Sequence, residues 1–289
     1  MTLRALLLCV LLPTAALAGV RTPPAAGTPL GLVLGTSGQV TAGDKAISPG
    51  SMLTEGQALR LAADATLVFS LITTCKELTI SGPGALKLVG GAAVMEGAKV
   101  VSSAASPGCV SADRVALSSA SQVRSGAVVV RGGTDGRLSP RGGFVTAHDR
   151  TLRWDGPLAD GRGVVVLVAR GEQADDVLLE VETTGASLEL PADLPLVPGG
   201  EYAWSVEPSG VNPGPQLAGT FRVAEIAVAT QLDTLRGRAA DAPGWLRVAF
   251  FCEVHLLEGA AADAYARALE LDKTAAGAQE RLRELDLPG

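Results

Sequence analysis

Between Leu30 and Arg131 the chain runs in short apolar segments cut at steady intervals by Gly, Ser and Pro. Leu67, Phe69 and Leu71 fall on one side of a strand, with Val68 and Ser70 on the other. Leu78/Ile80 and Leu86/Leu88 keep the same period of two. Period-two segments with frequent turn residues predict an all-β sandwich or barrel over 30–131. Residues 132–143, rich in Gly with Ser and Pro, predict a linker. From 144 to 223 the β pattern resumes in TLRWDG, GVVVLVAR, DVLLEVE, ASLELP, EYAWSVEP and GTFRVA, enough strands for a small Greek-key sandwich. At Ala224 the period changes. AEIAVATQLDTLRGRAA, WLRVAFFCEVHLL, AAADAYARALELD and TAAGAQERLREL read as four helices over 224–289, broken at ADAPG and EG. The expected architecture is mainly β: two β-domains followed by a short α-helical tail.

The first residues change the picture of where the chain works. MTLRALLLCVLLPTAALAGV carries one positive charge, an apolar run from Leu6 to Leu12 and Ala16-Leu17-Ala18, the pattern of a secretory signal peptide cleaved after Ala18. The run is shorter than the ~20 residues that span a bilayer. Cys9 lies inside it with no small residue before it, unlike a lipidated cysteine. Residues 19–29 form a Pro-rich lead, and no second long apolar segment follows. A periplasmic or secreted bacterial envelope protein is expected, without a transmembrane segment after cleavage. The formal net charge is −6 and aromatics make up only 3% of residues. That composition offers neither the basic patch nor the stacking platform of nucleic-acid binding.

Beyond Cys9 the cysteines are Cys75, Cys109 and Cys252. In an oxidising compartment three cysteines imply one bridge and one leftover thiol. Cys75 and Cys109 share the first β-patterned region, so they are the economical pair. Closing a loop of about 34 residues would stabilise the fold by roughly 3 to 4 kcal/mol in the chain-entropy model. Cys252, in the apolar VAFFCEVHLL, is then a small buried hydrophobe. A reactive or metal-bound Cys75 is the alternative, but no His or second Cys lies near it in sequence.

Three stretches resemble known families. GQVTAGDKAISPGSMLTEGQALRLAADATLVFSL, with Leu53, Gly56 and Leu59 spaced L-x-x-G-x-x-L, resembles the FecR-type periplasmic β-domain. That resemblance implies a β-sandwich. The iron-citrate sensors of the family carry a cytoplasmic segment and membrane helix ahead of the domain and place Asp-Gly after its apolar strand, where this chain has Thr73-Thr74-Cys75. Signalling to a sigma factor is therefore not carried over. LVPGGEYAWSV, with Leu196, Pro198, Gly199 and Tyr202 as L-x-P-G-x-x-Y, resembles the fibronectin type III signature, which implies that the Tyr202 hydroxyl fixes a corner. Trp154 matches the core tryptophan of such domains, and Trp204 should share the face of Tyr202. Both indoles could instead line a carbohydrate-binding face. Trp245, Val248, Ala249, Ala261, Tyr265 and Ala268, followed by ALELDK, resemble one tetratricopeptide repeat, with Leu256 where a turn glycine is usual. A lone repeat cannot bury its apolar faces. Flanking helices, the β-domain or another protein must cover it.

Catalytic chemistry is sparse. His148 and His255 stand without partners at suggestive spacing. No phosphate-binding loop, zinc-protease, serine-hydrolase or C-x-x-C motif occurs. Asp175-Asp176 falls at an expected turn. The sequence therefore predicts no catalytic residue, no cofactor and no metal. It predicts an exported, non-enzymatic adaptor or scaffold that contacts a protein partner in the envelope. Trp245, Phe250, Phe251 and Tyr265 of the tail are the expected contact residues. A carbohydrate- or peptidoglycan-binding module and an enzyme with an unrecognised site are the alternatives.

Overall fold

The structure, a computed structural model, describes residues 28–106, 138–155, 158, 161–171, 175–209 and 216–285. The expected signal peptide 1–18 and Cys109 lie outside the described residues.

The first body is built from β1 (Pro29–Ser37), β2 (Val40–Ala42), β3 (Lys45–Ala46), β4 (Met52–Thr54), β5 (Ala58–Leu61), β6 (Thr66–Leu71), β7 (Lys76–Ser81), β8 (Gly84–Val89), β9 (Ala92–Glu96) and β10 (Lys99–Ala105). They form two five-stranded sheets with antiparallel ladders, ordered β10-β7-β6-β1-β4 and β3-β2-β5-β8-β9. Between the sheets lies a core that includes Val33, Leu53, Leu59, Leu67, Phe69, Ile80 and Leu86. The alternation read from β6 holds: Leu67, Phe69 and Leu71 enter this core, whereas Val68 packs on the opposite side. The L-x-x-G-x-x-L spacing has a physical reason. Leu53 and Leu59 are fully buried on either side of a turn that Gly56 makes at φ +80°, a conformation costly for any residue with a Cβ.

The second body uses β11 (Leu138–Ser139), β12 (Phe144–Val145), β13 (Thr151–Trp154), β14 (Gly163–Ala169), β15 (Asp176–Thr183), β16 (Ser187–Glu189), β17 (Glu201–Pro208) and β18 (Leu217–Val223). A three-stranded sheet, β11-β13-β16, faces a five-stranded one, β12-β18-β17-β14-β15, in which the short β12 joins β18 in parallel. Because β11 pairs with β13, the second body includes Leu138 and Ser139, inside the expected linker. Two paired residues are too short a stretch to show a period.

Tyr202, Trp204 and Val206 alternate inward from β17 as their spacing requires. The Tyr202 hydroxyl accepts a hydrogen bond from the Val197 amide at 2.7 Å and donates to the Pro195 carbonyl at 3.3 Å. It ties the loop before β17 to the strand, and its ring stacks on Phe221 at 5.2 Å.

Four helices follow: α1 (Ile226–Arg238), α2 (Ala242–Val254), α3 (Glu258–Leu271) and α4 (Ala276–Leu285). Asp241 caps α2 by accepting from the Gly244 amide at 2.8 Å, and Pro243 sits in its first turn. With Leu246, Val248, Ala249, Phe250, Phe251 and Cys252 all buried, α2 is apolar almost all round and lies inside the layer. The turn to α3 places Leu256 at φ +57°, where a glycine would carry no steric cost. Among the described residues no helix is long and apolar enough to cross a membrane.

The helical layer does not stand apart from the β-structure. Leu32 and Leu34 of β1, together with Ile72, join the core of the helices, and Met52 and Val68 pack against it. Strand β1 is thereby buried on both faces, contributing Leu30 and Val33 to the sandwich and Leu32 and Leu34 to the helices. The first body is a three-layer structure of sheet, sheet and helix.

Candidate functional site

The helical layer is fixed to the first body by close backbone contact. A Cβ on Gly277 would lie 2.2 Å from the Ser51 nitrogen, and one on Gly50, at φ +86°, 2.2 Å from the Ala278 nitrogen. This proximity lets the β3–β4 loop cap α4. The Gly277 amide donates to Ser48 Oγ at 2.9 Å and the Ala278 amide to the Pro49 carbonyl at 3.3 Å. On the other side of the layer Arg247 of α2 binds both carboxylate oxygens of Glu77 on β7, at 2.7 and 2.9 Å, in a partly buried fork.

This packing corrects the expected docking face. Phe250, Phe251 and Tyr265 are 8%, 3% and 0% exposed and face the shared core, with Trp245 partly buried against it. The apolar stripe that the sequence offers to a partner is covered by β1 and the flanking helices. Beneath it Tyr265 lies close to Glu253 and Arg281, which pair at 2.9 Å. Burial pushes the Glu253 carboxyl up against the opposing pull of Arg281, and it pushes the Tyr265 hydroxyl up as well.

The remaining candidates separate. Cys75 is disulfide-bonded, and its expected partner Cys109 lies outside the described residues. Cys252 is free and buried, with burial pushing its thiol up to about 12, so it packs as an inert hydrophobe. Trp154 and Trp204 are 0% and 2% exposed, with ring centroids 6.3 Å apart and planes tilted by 54°. The Trp204 indole nitrogen donates to the Pro140 carbonyl at 3.0 Å. Neither ring is available to stack on a sugar, so the observation behind the glycan-binding alternative is gone. His255 ends α2 against the Phe251 ring, and Asp175 pairs with Arg170 at an exposed turn.

The polar groups that the structure does bring together lie where the second body meets α3. The Phe144 amide donates to the Leu256 carbonyl, and the Ala224 amide to that of Val145. The first bond holds β12 against the α2–α3 turn, the second continues the β12–β18 pairing within the second body, and a cleft of about 120 Å³ remains beside them. Ser139, His148, Glu189, Glu258, Gly259 and Asp263 line this cleft together with Arg150 and Arg153.

Most of the charges in and around the cleft are already engaged. Arg150 donates to the carbonyls of Ala147, Pro191 and Leu194, Asp149 pairs with Arg236 at 3.5 Å, and Arg153 stands 3.9 Å from Asp263. Burial raises the carboxyl of Glu258, and it raises that of Asp263 despite the opposing effect of Arg153. His148 is exposed and hydrogen-bonds to none of the carboxylates, nor to Ser139. The cleft therefore gathers a histidine and carboxylates without the paired geometry that activates a nucleophile or orients a base. Among the described residues no group of His, Cys, Asp and Glu could hold a metal ion.

Sequence reasoning missed this cleft. Its residues come from a stretch read as linker, from the ends of short strands and from one helix start. They share no period and no motif. No family model matches the chain, and no curated protein matches it.

Proposed function

We propose that this chain is an exported, non-enzymatic scaffold that acts through protein–protein contacts in a bacterial envelope. The observation that carries the reading is the way the helical layer joins the two β-bodies. Its apolar faces are used internally, on β1, while its α2–α3 turn accepts a backbone hydrogen bond from Phe144 of the second body. The resemblance of α2 and α3 to a tetratricopeptide unit then describes an internal clamp rather than a docking arm. Two β-bodies held by one clamp present their surfaces in a fixed relation, which suits a spacer or adaptor. The FecR-like and fibronectin-like resemblances and the signal-peptide pattern supply the envelope setting.

The test uses the whole chain expressed with its leader. Photo-crosslinking side chains are placed singly at Val101, Val177 and Ile226, which are 64%, 63% and 68% exposed and lie on the first body, the second body and the helices. The expected result is a discrete adduct with the same envelope protein from one position and not from the others. Absence of a discrete adduct from all three overturns the scaffold reading.

A further inference from the structure

We infer that copies of this protein associate head to tail, the free edge of β10 on one copy pairing with the free edge of β15 on the next. A sheet ends in strands whose outer N–H and C=O groups face away from the ladder, and proteins blunt such edges by keeping them short or charged. Most sheet ends here are short. β3, β11 and β12 have two residues each, β4 and β16 three, and β9 five. The exceptions are β10, with seven residues, at the end of one sheet of the first body, and β15, with eight, at the end of the five-stranded sheet of the second. Among the described residues neither pairs with a strand on its outer side.

The two long edges carry opposite kinds of surface. All seven residues of β10 are exposed, Val100 and Val101 by 45% and 64%, and after Lys99 the strand bears no charge. A bulge between Val100 and Ser102 leaves Ser102 to Ala105 in regular register with β7, so that stretch stays extended and able to accept a neighbour. β15 exposes Asp176, Glu180 and Glu182 beside Val177, itself 63% exposed. Two β15 edges brought together would set these carboxylates against one another, and like charges on facing strands destabilise a pair. β10 offers β15 the reverse: an apolar, acid-free edge of matching length with a lysine at its start. The charge bias extends to the whole bodies. No lysine occurs between Lys99 and Lys273, so the second body has none, whereas Lys45, Lys76, Lys87 and Lys99 all lie in the first.

Within one chain β10 and β15 belong to different sheets and are not joined. A second copy is therefore the occupant that brings them together. The contact is heterologous, because each copy keeps one edge of the other kind open. Growth then continues into a ring or a filament rather than stopping at a dimer. Such association needs no second kind of protein, so it holds or fails independently of any envelope partner.

The test is sedimentation velocity on the whole protein at rising concentration. One edge pair is a small interface, so species beyond the dimer are expected at about 100 μM and monomer at about 1 μM. Val101→Glu combined with Ser103→Glu, both at exposed positions, sets carboxylates against β15 and is expected to weaken association at least about tenfold. Adding Glu180→Lys and Glu182→Lys to that same chain is expected to restore growth, because opposite charges then face each other. A merely damaged fold would not recover in this way. A parent that is monomeric at about 100 μM, or that stops at a dimer, overturns the proposal. So does assembly of the glutamate variant at the parent's concentration, or failure of the two lysines to restore it.

Discussion

The two β-bodies meet the helical layer in opposite ways. The first gives it a sheet face, two interdigitated glycines and a forked ion pair, and so shares one core with it. The second touches it with Phe144, one backbone hydrogen bond to the α2–α3 turn and weakly paired charges, and keeps its own core of Trp154, Trp204 and their neighbours intact. Apolar burial at about 25 cal/mol per Å² dominates the first junction, whereas exposed ion pairs contribute roughly 0 to 1 kcal/mol each at the second. The difference teaches that the helices belong energetically to the first body. The cleft lies beside a close approach at the second junction, where a Cβ on Gly143 would stand 2.7 Å from the Leu256 carbonyl oxygen.

The largest expected effect is at β1. Leu34→Asp would place a carboxylate between sheet and helices, with a loss of more than about 4 kcal/mol, seen as failure to recover folded protein or as a collapsed denaturation midpoint. A change within about 1 kcal/mol would mean that the helices do not depend on that face.

Next comes Gly277→Val. Its side chain has no room against Ser51, so α4 must leave the β3–β4 loop. Stability should fall by about 3 kcal/mol, with hydrogen exchange rising first in α4. Uniform exchange across the chain would argue against this local release.

The fork between Glu77 and Arg247 sharpens the comparison. Each alanine variant should cost about 2 kcal/mol, and the double-mutant cycle should show coupling of about 1 to 2 kcal/mol. The same cycle on Arg153 and Asp263 at the second junction should show less than about 0.5 kcal/mol. Equal coupling at both junctions would remove the distinction.

The smallest effect concerns pH. Burial raises the Glu258 carboxyl in the folded state, so the folded chain holds that proton more tightly than the unfolded chain does. Its ionisation therefore lowers stability as pH rises from the ordinary value of 4.5 through the raised one. Glu258→Gln removes this decline. The variant should melt slightly higher than the parent at pH 7, by less than about 1 kcal/mol, and at the same temperature below pH 4.5. A gain that persists in acid would assign the effect to something other than ionisation.

The sequence exposes those parts of the fold that depend on period. The alternation in β6 and β17, the change to a helical period at Ala224 and the left-handed Gly56 are local, and each is visible within a few residues. The tyrosine corner was equally legible, because Tyr202 and its loop are close in sequence. What the sequence concealed is what lies opposite each face. The aromatic stripe of α2 and α3 is the same string of letters whether solvent, a partner or β1 covers it, so Phe250, Phe251 and Tyr265 looked like contact residues and proved to be core. The Trp154 and Trp204 indoles carried the same ambiguity. The cleft was the least legible feature, because Ser139 and Gly259 meet only after both bodies have formed.

The junction of Gly50 with Gly277 also orders events in time. Ser48 and Gly277 stand 229 positions apart, and Lys45 reaches Glu280 across 235. As the chain is made from its N-terminus, β1 is complete long before the residues that cover Leu32 and Leu34 emerge. Until then an apolar sheet face waits in the open, where contacts of such long range are slow to form and exposed surface invites aggregation. The first body to be synthesised is thus the last to have its outer sheet face covered.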